Sequence, residues 1–407
     1  MNNWNVEDYT TEELENFDFS GFSEEELIDA IKQLSDEATI YDTMQMAEKI
    51  CLNSIYGALA NEYFYFFDVR LAETITLQGQ DAIKYSESIL NQYFYKVFHR
   101  DKIALQALKE KDPSINIENL TPCENPVVVY IDTDSCYVTF QEAMKKVGWT
   151  GHVNDFVLTL NEARLEEYLK AAFDKYASYY NCDNYLVFEL ESIAYHGIWT
   201  AKKKYVQEMA WSDGKVYDRL EKVKATGLEM IQSSTPTFCR QRLNDIVKWI
   251  FENGAGFAIK DLANELSKLK KEFLISDIED ISKGTSIGDY EKFIIEDVDY
   301  LAVGNHCPAH VKGAGLHNHL LNKNPKLKSR YDLLRSGDKV KWYYTTSEEK
   351  LFDKFSFRRG DYPREFAPEI DYDTQFEKTL LGPVNNIIQA MKHKPLTANL
   401  HTAKKLF

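Results

Sequence analysis

Two runs of β-forming residues, 127–129 and 136–140, bracket the segment Tyr130-Ile131-Asp132-Thr133-Asp134-Ser135. So short an interval predicts a tight antiparallel hairpin with two carboxylates one residue apart at its bend. Such a bend aims hard oxygen ligands at one point outside the sheet, where Mg²⁺ keeps positions open for water and phosphate. Phosphoryl and nucleotidyl transfer need that arrangement. The plainer alternative is a solvated hairpin end, because Asp and Thr are ordinary turn residues.

With 407 residues the chain has room for two or three domains, and 44% hydrophobic and 13% aromatic content implies a folded protein. No run of 18 apolar residues exists, so no membrane span is expected. The acidic, polar start is unlike a signal or transit peptide. The six cysteines form no CxxC pair and read as reduced core thiols of a cytoplasmic protein. A net charge of −16 argues at first against a nucleic-acid ligand. Its distribution reverses the argument. Residues 1–42 hold 13 acidic side chains and one basic one, whereas 305–359 hold 12 Lys or Arg against 5 Asp or Glu. Residues 200–248 hold 10 against 6. Local basic patches neutralise phosphates whatever the total charge, because contacts act within about a Debye length.

Along the chain, residues 1–22 read as loosely structured, and Ser23-Glu24-Glu25-Glu26 as a capping box opening a short helix to about residue 34. Helical patterns follow over about 38–61 and 74–98, then a polar insertion over 101–124 containing Pro113 and Pro122. Beyond the hairpin, 161–180 reads as an amphipathic helix, 186–193 as a strand, and 195–224 as strands around a Ser212-Asp213-Gly214 turn. From Gly227 the pattern is mostly helical, with a Gly- and His-rich interruption near 304–319. The class is α+β. His306, Cys307, His310, His317 and His319 crowd together in that interruption, but their spacing fits no standard zinc site.

Lys49, Asn53 and Tyr56 fall at i, i+4 and i+7 and so share one helical face. A cation, an amide and a flat ring in a row suit a nucleoside triphosphate, and Gly57 leaves room for a base pair against the backbone. The alternative is a snorkelling lysine beside a half-buried tyrosine. In Lys202-Lys203-Lys204-Tyr205, three lysines at a strand mouth alternate across the sheet; one or two of them suit a backbone phosphate. An edge strand guarded by lysines is the alternative. Lys312, in a Lys-Gly-Ala-Gly turn, and the basic stretch 323–359 with Trp342, Tyr343 and Tyr344 suit duplex backbone.

In order and spacing, these segments resemble family B DNA polymerases, most closely those of T-even-type bacteriophages. Residues 49–57 resemble the fingers motif K-x-x-x-N-S-x-Y-G, 130–135 the palm motif Y-x-D-T-D-S, and 202–205 the K-K-R-Y element, with Lys204 where arginine is usual. Gly227-Leu228-Glu229, Ser233-Ser234-Thr235-Pro236, the 308–314 segment and Phe366-Ala367-Pro368-Glu369 resemble thumb elements. The resemblance runs from about residue 38 to about 388.

It implies part of a polymerase right hand. An acidic N-terminal segment and the return helix of the fingers would occupy 1–61, the C-terminal palm, an antiparallel sheet, 62–226, and a mostly helical thumb 227–407. Asp134 would be a metal ligand, Asp132 would sit beside the metals and primer end, and Glu189 and Glu191 would be further metal-site candidates. Lys49, Asn53, Tyr56 and Gly57 would hold the dNTP, and Lys202, Lys203, Lys204, Tyr205 and Lys312 the primer strand. Two Mg²⁺ ions would serve the chemistry, in the cytoplasm of a phage-infected bacterial cell. The family's other palm aspartate, in D-x-x-S-L-Y-P-S, has no counterpart here, nor do the exonuclease motifs. The expectation is therefore a split polymerase, with the N-terminal polymerase and exonuclease parts on a separate chain that shares the metals, acting on primer–template DNA. Lys404-Lys405-Leu406-Phe407 resembles the apolar end by which such enzymes bind a sliding clamp. The competing expectation is a non-catalytic DNA-binding or replisome-tethering fragment.

Overall fold

The computed structural model describes residues 4–10, 13, 14, 16–297, 300–347 and 352–400. They form two compact units, one comprising 1–97 and 122–139, the other 98–121 and 140–407. Helices and antiparallel sheets are mixed, as the α+β reading requires.

The first unit is built on α1 (Glu24–Leu59) and α2 (Val69–Gln92). Ser23 caps α1 as expected: its hydroxyl accepts from Glu26 N–H at 3.4 Å, and the Glu26 carboxylate accepts from Ser23 N–H at 2.9 Å. The two helices expected at 23–34 and 38–61 are one, because no Gly or Pro falls between residues 24 and 56 to interrupt the backbone ladder. The N-terminal segment also departs from expectation. Trp4, Tyr9, Phe17, Phe19 and Phe22 form an aromatic cluster, and Val6 N–H donates to Gln33 Oε1 of α1 at 3.1 Å. Strands β1 (Val128–Asp132) and β2 (Ser135–Val138) form the expected hairpin.

In the second unit the insertion expected at 101–124 contains α3 (Lys102–Lys111), which buries Ala104, Leu105 and Leu108. The Asp101 carboxylate caps α3 and accepts from Arg164 Nε at 2.8 Å. Helices α4 (Val153–Leu160) and α5 (Glu166–Tyr179) are joined by a π turn, Asn161–Leu165. A sheet of β3 (Ser192–Ala201), β4 (Lys204–Ser212), β5 (Lys215–Val216) and β6 (Val223–Thr226) has β4 at its centre, hydrogen-bonded to the other three. The strand expected at 186–193 begins only at Ser192, so Glu189 and Glu191 lie in an unpaired segment.

Beyond Gly227, α6 (Thr237–Asn253) and α7 (Ile259–Ile275) bury Leu243, Ile250, Leu262 and Phe273 in the main core. Here β7 (Lys283–Ser286), β8 (Ile294–Asp297), β9 (Tyr300–Val303), β10 (Lys339–Tyr344) and β11 (Lys354–Arg358) add sheet that the helical pattern had hidden. The Gly- and His-rich interruption is itself a helix, α8 (Ala309–Asn322). Its glycines serve close packing: a Cβ on Gly313 would lie 2.6 Å from Ser356 Oγ, and one on Gly315 2.9 Å from Ile294. His317 is buried there; burial pushes its pKa down to about 4, and its Nδ1 is 3.0 Å from the Ser356 carbonyl oxygen. Helix α9 (Gly382–Ala390) closes the same core. Cys51 and Cys182 are exposed rather than core thiols.

Glu208 of β4 is fully buried. Burial alone would raise its pKa, but hydrogen bonds from Arg219, His196 and the Leu220 N–H outweigh it and hold the carboxyl below its ordinary value. A depressed carboxyl contributes stability above its unfolded pKa, and that stability is lost as pH falls through the folded one. Glu208→Gln is expected to cost about 2 kcal/mol at neutral pH. In urea melts the variant's midpoint should fall less than the wild type's on acidification below about pH 4.5.

Candidate nucleotide and metal site

The β1–β2 hairpin places both aspartates at its tip. Asp132 ends β1 opposite Ser135, and Thr133 and Asp134 form the two-residue turn. Thr133 takes a left-handed backbone, φ 52°, as the twist of a tight hairpin requires of its first turn residue. Asp132 is half-buried and Asp134 exposed. Local hydroxyls dress them: Thr133 Oγ1 donates to Asp132 Oδ1 at 3.2 Å, and Ser135 Oγ to Asp134 Oδ1 at 3.3 Å.

The base of the hairpin is fastened to α2. Asn91 Oδ1 accepts from the N–H groups of Val127 and Val128, at 2.8 and 3.2 Å. One amide oxygen thus satisfies two strand donors and fixes where the tip projects. Burial pushes the pKa of the adjacent Cys136 thiol up to about 12. Sequence reasoning passed over Asn91, which lies 36 residues from Val127; an amide on a mostly polar helix surface carries no signal of its own.

Lys49, Asn53, Tyr56 and Gly57 lie in the last three turns of α1. The first two are exposed, Tyr56 is 40% exposed, and a Cβ at Gly57 would meet nothing within 4 Å. Within this chain the row is an open face with nothing covering it among the described residues.

Lys202 and Lys203 form the turn between β3 and β4, so the expected alternation across a sheet does not arise. Lys203 has φ 59°. Lys204 opens β4 and its Nζ is 3.3 Å from Glu229 Oε1. Tyr205 points into the core at 7% exposure, its ring beside Trp199. Gly227 is fitted to this turn: with φ 64°, its Cβ would lie 2.1 Å from the Lys203 carbonyl oxygen. Sequence reading marked Gly227 and Glu229 only as the entry to a later segment, because their contact with the lysine turn spans more than 20 residues.

The other candidates are dispersed. Glu189 and Glu191 are exposed, and Glu191 lies 3.8 Å from Lys224 Nζ. Lys312 pairs with Asp353 at 2.8 Å. Of the aromatic side chains expected to track duplex backbone, Tyr343 is fully buried and Trp342 nearly so, serving the core instead, and Tyr344 is half-buried. Residues 404–407 lie outside the described residues. Among the described residues no three of His, Cys, Asp and Glu gather as a metal-binding group. The oxygen-only pair Asp132 and Asp134 is of the kind that suits Mg²⁺. No helix of the described residues is long and apolar enough to cross a membrane.

Comparisons with known proteins agree on one family. The model of DNA polymerase family B matches residues 26–391. The DNA-directed DNA polymerase of Escherichia phage RB69 is 27% identical over 372 residues, covering 86% of this chain and 37% of that protein. The DNA-directed DNA polymerase of Enterobacteria phage T4 is 26% identical over 316 residues, covering 73% and 31%. The DNA polymerase alpha catalytic subunit of Dictyostelium discoideum is 35% identical over 65 residues, covering 16% and 4%. The chain spans about a third of the length of the phage relatives it matches.

Two local dependences are testable. Asn91→Ala is expected to cost about 1–2 kcal/mol and to speed hydrogen exchange at Val127 and Val128 before the rest of the unit. Gly227→Ala should cost about 1–3 kcal/mol in urea melts, with faster exchange across the Lys202–Lys203 turn; unchanged exchange there would contradict the fit.

Proposed function

The chain belongs to DNA polymerase family B, and from that membership we propose that it forms the C-terminal part of a DNA-directed DNA polymerase of the T-even phage type. The reaction is attack of a primer 3′-hydroxyl on the α-phosphate of a template-paired dNTP, releasing pyrophosphate. The observation that carries this reading is the hairpin tip, with Asp132 and Asp134 projecting from a base pinned by Asn91. Asp134 with Asp132 would hold Mg²⁺, which when bound stabilises charge on the attacking and leaving oxygens. Lys49 neutralises triphosphate charge, Asn53 and Tyr56 orient base and sugar, and Gly57 leaves the backbone open to the new pair. The Lys202–Lys203 turn and Lys204 engage primer phosphates, and Tyr205 supports the turn from within the core. In this division 1–61 belongs to the fingers, 62–226 to the palm and 227–407 to the thumb.

Polypeptide outside residues 1–407 supplies the remaining metal ligands and the opposing fingers helix. Two features support this. The hairpin offers two carboxylates where two-metal transfer uses more, and α1 leaves its apolar side chains exposed along its length. The test is co-expression with the polypeptide carrying those parts, then primer extension with Mg²⁺. Extension is expected for wild type, reduced about 10²–10³-fold by Asp134→Ala and by about tenfold or more in kcat/KM by Lys49→Ala. Extension indifferent to Asp134→Ala overturns the proposal. Binding of primer–template with no extension favours a tethering fragment.

A further inference from the structure

Glu208 stands on β4, opposite His196 of β3 and Val223 of β6, and is fully buried. Three groups meet its carboxylate: Arg219 Nε at 2.5 Å, His196 Nδ1 at 2.8 Å and the Leu220 N–H at 2.9 Å. The guanidinium reaches further. Its Nη2 donates to the Phe251 carbonyl oxygen at 3.3 Å, close to the end of α6. The last four carbonyls of a helix have no partner within it, and the last turn of α6 holds no basic residue. Arg219 therefore supplies, from the sheet side, the cation that a helix C-terminus favours. Two ring contacts reinforce the same spot. The His196 ring stacks on the Phe251 ring with centroids 5.9 Å apart, and the guanidinium lies 5.4 Å from the centre of the Tyr195 ring.

We propose that Arg219 is the latch that sets the direction of α6 relative to the β3–β4 sheet, and so a positioning residue for duplex DNA. Apolar contact joins sheet and helix as well: Val206 of β4 shares the main core with Leu243, Val247 and Ile250 of α6. Burial of that kind is non-directional and tolerates a tilt. Hydrogen bonds are directional. A fork with one branch on Glu208 and another on Phe251 ties the helix end to the sheet whose β3–β4 turn carries Lys202 and Lys203. The chain beyond α6 carries the basic stretch 323–359. A duplex engaged by both needs them at a set separation, because phosphate contacts fix register and orientation. This consequence for DNA rests on the proposed polymerase reading; the latch itself does not. A lysine at position 219 would keep the charge beside Glu208 but lacks the rigid second donor for Phe251.

The test places nitroxide labels on the whole chain at Val216→Cys in β5 and Gln241→Cys in α6, both exposed positions. The other cysteines that are not buried, Cys51, Cys136, Cys182 and Cys307, are replaced by alanine. Double electron–electron resonance reads the separation of the labels, and circular dichroism checks the fold. Wild type is expected to give one narrow distribution. Arg219→Gln should widen it at least about twofold, and Arg219→Lys should do the same. The pair Glu208→Gln, Arg219→Gln leaves no unpaired buried charge, so it keeps the test open should Arg219→Gln fail to fold, and it too should widen the distribution. In the assembled polymerase, Arg219→Lys should weaken primer–template binding at least about threefold while kcat on saturating DNA is kept. A distribution like the wild type's in the double variant overturns the latch. One in Arg219→Lys shows that charge alone holds the helix, which overturns it too. A widened distribution with unchanged primer–template affinity overturns the duplex role. The distance measurement contains no DNA, nucleotide or metal, so failure of the latch leaves the Asp134 reading standing, and failure of that reading leaves the latch standing.

Discussion

A hairpin that carries two carboxylates one residue apart at its tip, and whose base is fastened to α2, is the constraint on which the candidate site depends. Left to itself, such a tip relaxes toward solvent and pairs with whatever donors lie near. Hydroxyls of Thr133 and Ser135 donate to the two aspartates. The hairpin cannot swing away, because Asn91 holds two of its backbone donors at the base. Oxygen ligands so placed are of the kind that suits a divalent cation.

The lysine turn shows the opposite economy. Lys202 and Lys203 occupy a tight bend that Gly227 alone among residue types can back without collision, and Lys204 is tied to Glu229. The turn is held by this backbone fit, and Lys204 has an acidic partner as well. Lys312, by contrast, is paired with Asp353, which itself also meets Lys354, so its position is better explained as a link between α8 and the segment before β11.

The hairpin, the cap that opens α1, α2 and the sheet around Ser212-Asp213-Gly214 were legible in the sequence because each rests on local periodicity or turn chemistry, whereas the continuity of α1 was not. The failures have a common cause in partners that local patterns do not name. Residues 186–191 have a strand's composition but find no ladder partner, so they form no strand. The glycines of α8 look like helix breakers until Ser356 and Ile294 are seen pressed against them. The row Lys49, Asn53, Tyr56 was legible as one face, and α1 presents it so. The supports of the site, Asn91, Gly227 and Glu229, were not, because their significance lies in contacts across 20 residues or more.

The central claim is that a catalytic cation sits at the Asp132–Asp134 tip. Localised cleavage tests it most directly: Fe²⁺ replaces Mg²⁺ in the assembled polymerase on primer–template, ascorbate and peroxide are added, and the sites of backbone scission are mapped by mass spectrometry. The account predicts scission centred on residues 130–136 that excess Mg²⁺ suppresses and Asp134→Ala abolishes. Scission centred elsewhere, or scission at the hairpin that survives Asp134→Ala, would contradict it.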